Sequence, residues 1–156
     1  MAVDRQRIYG LDLVVASLTF VVSCGFFLDA WAHGHVPIES FFTPYHGVFY
    51  SALLILVAVL GTFGVMRLNA GYPLRFAFPD SYHWPLLGIP IFLLSGVGDL
   101  TWHHFFGVEE GVDALLSPTH QGLGLGMFFL SGAPIISTLR CGVTSNSRRR
   151  RWPWPI

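Results

Sequence analysis

Lysine is absent from this chain of 156 residues, and charge of either sign is scarce, Arg, Asp and Glu together making 12% of the sequence. Soluble globular domains carry roughly 25% charged residues, so this chain has about half the charge with which such a domain covers its surface. Cysteine is also rare: Cys24 and Cys141 are too few for a disulfide framework. No nucleophile triad stands out, and the glycine run from Gly122 to Met127 follows no strand, which argues against a phosphate loop. A disulfide scaffold and a nucleotide-binding domain are therefore excluded, and nucleic acid is not expected as a partner.

What fills the space is apolar sequence, with 53% of residues hydrophobic. A helix needs about 20 apolar residues to cross a bilayer, and four runs meet that length: Ile8–Ala30, His46–Met66, Trp84–His103 and His120–Arg140. Each is apolar all round, without the polar outer face of a soluble bundle helix. The expected fold is an all-α integral membrane protein of four transmembrane helices. The lipid bilayer is its first partner, and it is expected in the cell membrane.

The arginines orient it. Arg5 and Arg7 precede the first run, Arg67 and Arg75 separate the second from the third, and Arg140 and Arg148–Arg151 follow the fourth. The segments after the first and third runs hold no basic side chain but histidine. By the positive-inside rule both termini and the middle loop are cytoplasmic. Val21–Cys24 loosely resembles a lipoprotein cleavage box, but Asp12 interrupts the apolar region such a signal needs, so the first span is expected to stay. Asp12 itself is expected to pair with Arg5, Arg7 or Arg140. The tail from Arg148 is polybasic with aromatics and suits anionic inner-leaflet lipid.

The scarce polar residues are concentrated in two stretches that repeat each other. Asp29 and His33 recur 70 residues later as Asp99 and His103, and Thr43-Pro44-Tyr45-His46 recurs 74 residues later as Ser117-Pro118-Thr119-His120. The shared pattern is D-x3-H, a loop, then [ST]-P-x-H, and each copy falls at the outer hinge of a helical hairpin. Duplication of a two-helix unit, a parallel repeat, explains it. Residues 1–66 then form the first hairpin, 67–83 a cytoplasmic linker, 84–140 the second hairpin and 141–156 a basic tail.

Asp and His at i and i+4 project from one face of a helix. Thr43 and Ser117 suit the N-cap of the returning helix, and Pro44 and Pro118 its first position, which puts His46 and His120 in the first turn. Each hinge can thus gather one carboxylate and two imidazoles. A carboxylate near a helix C-terminus opposes the macrodipole, and a cation resolves the conflict. The candidate metal ligands are Asp29, His33, His46, Asp99, His103 and His120. Such donor sets suit copper, iron or zinc. Glu109, Glu110 and Asp113 are candidate partners that orient the ligands, while His35 and His104 rank as spares and His83 as interfacial. Gly122 and Gly126 form a small-xxx-small pair suited to close helix packing. The competing reading is a metal-free structural or partner subunit, in a homo- or hetero-oligomer, whose Asp–His pairs lock the hairpins by hydrogen bonds.

The first copy reads D-x3-H-x12-H and ends FFTPYH; the second begins DLTWH and ends SPTH, with sixteen residues between its histidines. Together these features resemble the metal-site motif of the C subunit of particulate methane and ammonia monooxygenases. The second stretch is also similar to a group of small uncharacterised bacterial membrane proteins. The first resemblance covers about a third of the chain. It implies that the three residues of each copy are ligands of a copper-type site and that the chain could be a redox or oxygenase-like component.

Overall fold

The computed structural model describes residues 2–37, 40–107 and 116–149. Among them are four long helices and no strand: α1 (Ala2–His35), α2 (Pro44–Asn69), α3 (His83–Phe106) and α4 (Pro118–Arg149). Three helical segments, Gly10–His35, Pro44–Asn69 and Asp80–Phe106, are long and apolar enough to cross a membrane. Large apolar side chains stand on the outside, among them Phe20, Leu94 and Phe128, each at least 70% exposed. Apolar surface on that scale is rare on a soluble monomer.

α1 packs along α2 and α3 along α4, and the two pairs join chiefly through α1 and α4. Close approach depends on glycine at two places. A Cβ on Gly25 of α1 would lie 2.8 Å from Phe49 Cβ of α2, and one on Gly126 of α4 would lie 2.8 Å from Phe92 N and Cβ of α3. The expected packing role of Gly122 and Gly126 thus has its contact surface on α3, where Ser95 and Phe92 face them. Between the pairs, Phe49 and Phe92 meet edge to face with centroids 5.9 Å apart. They sit in a core with Val15, Val22, Leu53, Leu56 and Leu130.

The helices overrun the expected ends. α1 continues past Ala30 to His35, α3 past His103 to Phe106, and α4 past Arg140 to Arg149, before Pro153 and Pro155. Asp29 and Asp99 therefore lie more than a turn inside their helices, where the macrodipole is weak. Burial, more than the dipole, sets the cost of their charge. The side chains of Arg148–Arg151 lie outside those described, as do those of Arg5, Arg7 and Arg140. Asp12 has two partners within the described part: it accepts a hydrogen bond of 2.7 Å from the Tyr82 hydroxyl and another from the Ser137 hydroxyl. It thereby ties α1 to α4 and to the short 3-10 turn Asp80–Tyr82.

Candidate metal centre

Six ionisable side chains are buried at one end of the bundle: Asp29 and His33 on α1, His46 on α2, Asp99 and His103 on α3, and His120 on α4. Asp99 is 0% exposed and Asp29 2%. Removing a carboxylate from water costs several kcal/mol unless an opposite charge compensates it, and neither aspartate touches an arginine among the described residues. The ionisable neighbours they do have are imidazoles.

Local structure places those imidazoles. Thr43 caps α2, its hydroxyl accepting from His46 N at 3.1 Å, and Pro44 occupies the first turn. Ser117 repeats the arrangement ahead of α4, accepting from His120 N at 3.4 Å. His33 and His103 follow their aspartates by one turn on α1 and α3. The sequence pattern is thereby realised at both hinges.

The ring orientations carry the chemistry. His46 Nδ1 lies 2.6 Å from the carbonyl of Phe41, and His103 Nδ1 lies 3.2 Å from that of Gly107. A carbonyl only accepts, so each Nδ1 carries the proton and donates it. Gly107 takes φ +80, a left-handed conformation that favours glycine, and so turns its carbonyl back to His103. His120 Nδ1 is engaged with Ser117 Oγ at 2.7 Å and faces Asp99 Oδ1 at 3.3 Å. In all three rings Nδ1 is taken, which leaves Nε2 as the atom available to coordinate.

Nε2 then meets carboxylate oxygen. Asp29 Oδ2 is 3.5 Å from His33 Nε2 and 3.4 Å from His46 Nε2. Asp99 Oδ2 is 3.5 Å from His103 Nε2. A charge-assisted hydrogen bond would be roughly 2.7–2.9 Å, shorter than any of these. Two ligand atoms bound at about 2.0–2.1 Å to one tetrahedral ion stand roughly 3.3–3.4 Å apart. The observed separations match the second geometry better than the first. For His46 and His103, whose Nδ1 carries the proton, the Nε2 lone pair and a carboxylate oxygen repel at this range, and a cation between them would convert the repulsion to attraction.

The two sets are not separate. Asp29, His33 and His46 place one donor atom each within 4.8 Å of one another, and so do His33, His103 and His120. His33 belongs to both, and its ring lies 5.8 Å from the ring of His120 and 6.2 Å from that of His46. Asp99 lies beside the second group: its Oδ2 is near His103 Nε2, while its Oδ1 faces the Nδ1 side of His120 and accepts from the Thr119 hydroxyl at 2.8 Å. Among the described residues, Asp29 Oδ1 has no hydrogen-bond partner, nor has His46 Nε2.

Other expected residues are placed as follows. His35 is exposed, bonded at 2.8 Å to the Trp31 carbonyl and stacked on its indole. His104, the residue after His103 on α3, is exposed. His83 lies at the start of α3, away from the cluster, with Nδ1 on the Asp80 carbonyl. Glu109, Glu110 and Asp113, the candidate orienting residues, lie outside the described residues. The orienting groups that are described include the Thr43 and Ser117 hydroxyls, which the motif marks as caps, and three groups that the motif does not mark: the carbonyls of Phe41 and Gly107 and the Thr119 hydroxyl.

Beside His46 and Tyr50 opens an apolar cavity of about 600 Å³, lined by Phe41, Phe42, Leu93, Val97 and Leu100. It fills the seam between α2 and α3, the two helices that contribute least to the contact between the pairs.

No protein-family model, no curated protein and no solved structure matches the chain.

Proposed function

We propose that the protein is a membrane metal-binding protein: two duplicated helical hairpins, crossing the bilayer four times, that hold one or two ions between them. The single observation that carries this reading is the convergence of six buried Asp and His side chains from four helices, with His33 common to two donor groups. Asp29, His33 and His46 hold one position. His103 and His120, with His33 and Asp99, hold the adjacent one. Copper is the first choice, since the motif resembles a copper-type site, and iron or zinc also accept such nitrogen and oxygen donors.

The positive-inside pattern of the arginines puts both termini in the cytoplasm and the centre at the outer face. A bound copper or iron would supply one-electron chemistry. The chain's own residues fix the ligand tautomers, exclude water from the donors and keep an apolar cavity next to His46. A cavity of that kind beside a centre with open positions is what an oxidoreductase component needs.

X-ray absorption at the metal edge of copper-loaded protein tests the reading. Imidazole nitrogens and carboxylate oxygen at about 2.0 Å are expected. A shell of water oxygens alone, or of sulfur, would contradict it.

A further inference from the structure

Tyr50 carries a hydroxyl that neither the core nor the proposed ligand set uses. It lies one turn beyond His46 on α2 and so shares that face, its ring 6.1 Å from the His46 ring. The hydroxyl reaches across the seam to α3, where it rests over Gly96: a Cβ there would run into the Tyr50 oxygen and ring. Gly96 precedes Asp99 by three residues and His103 by seven, which puts all three on one face of α3. The phenol oxygen therefore lies beneath the Asp/His cluster, between the two hairpins.

That oxygen is buried and has no hydrogen-bond partner among the described residues, although a buried tyrosine hydroxyl usually finds one. Asp29 Oδ1, Asp99 Oδ2 and His46 Nε2 are likewise without one among those residues. Those three atoms are acceptors, and the phenol is the donor among them. None of them is within bonding distance of it. The missing component is an atom that binds a metal on one side and accepts from Tyr50 on the other. Tyr50 and His46 also line the apolar cavity, which gives a small molecule a way in.

We propose that Tyr50 donates a hydrogen bond to a non-protein ligand of the metal centre, a small anion or oxygen donor held at the position the Asp and His side chains leave open. This rests on the metal reading above. It assigns Tyr50 a binding role distinct from metal retention.

The test uses full-length protein loaded with Cu(II) and titrated with azide, followed by the azide-to-copper absorption band. Tyr50→Phe should keep the same copper per chain and bind azide about tenfold more weakly, the effect of one lost hydrogen bond. Phe92→Leu, which loosens the packing on the Tyr50 ring (centroids 6.1 Å apart) and spares the hydroxyl, should leave azide affinity unchanged. Equal azide affinity in Tyr50→Phe, loss of its copper, an equal shift in Phe92→Leu, or no azide band in the unsubstituted loaded protein would each overturn the proposal. Absence of copper from the unsubstituted protein is a separate readout and would overturn the metal reading itself.

Discussion

The imidazole of His33 stacks on that of His103, ring centroids 5.8 Å apart and planes 15° from parallel, although the two residues belong to different hairpins. Each follows its own aspartate by one helical turn, so the contact brings two similar donor sets into one cluster. If both donor groups hold metal as proposed, the shared histidine makes the two positions interdependent. It predicts that His33→Ala lowers metal content more than either His46→Ala or His120→Ala, since it removes a donor from both groups. Elemental mass spectrometry of the three variants, purified alike, checks the order; equal losses would mean independent sites.

Thr119 steadies Asp99 from the opposite helix through a 2.8 Å hydrogen bond. Partners of this kind typically contribute 10–100-fold in metal affinity. Thr119→Val keeps the shape and removes the donor, so affinity at the second position should fall by about tenfold with the first little changed. Competition with a chelator of known affinity measures both.

Asp12 lies away from the metal cluster and accepts from Tyr82 and Ser137. Asp12→Ala strands two hydroxyls and should destabilise the bundle by about 1–3 kcal/mol. Metal per folded chain should be unchanged. Thermal unfolding in detergent, read beside metal content, separates this structural role from the proposed ligand role of Asp29 and Asp99.

Much of this arrangement is legible in the chain itself. Four apolar runs predict four long helices, because a segment without a polar face must satisfy its backbone internally. The D-x3-H and [ST]-P-x-H pairs place each aspartate beside its two histidines, since helical periodicity and N-capping are local rules. The contact of His33 with His103 and His120 is not local. It depends on how the hairpins dock: the approach of Gly25 to Phe49 has no signature in either segment alone, and the Gly122/Gly126 pair signals a close approach without naming Phe92 as the surface it meets. Tyr50 is hidden for the same reason: its counterpart, Gly96, is on another helix. The helix ends are missed because His35 and Phe106 extend beyond the apolar runs that define the expected spans.

The arginine pattern predicts that the residues between α1 and α2 face the outside. In a background lacking Cys24 and Cys141, a cysteine at Ser40, an exposed position, should react with an impermeant maleimide added to intact cells. A cysteine at Arg75, also exposed, should react only after the membrane is opened. The reverse pattern would invert the topology and put the cluster at the cytoplasmic face.

The most direct measurement is the metal content of protein purified in mild detergent without a polyhistidine tag, after incubation with copper, iron or zinc. One or two tightly held ions per chain are expected, absent from an Asp29→Ala/Asp99→Ala variant that still folds. No retained ion after any of the three incubations would contradict a metal centre and leave the buried Asp–His contacts as the links that join the hairpins.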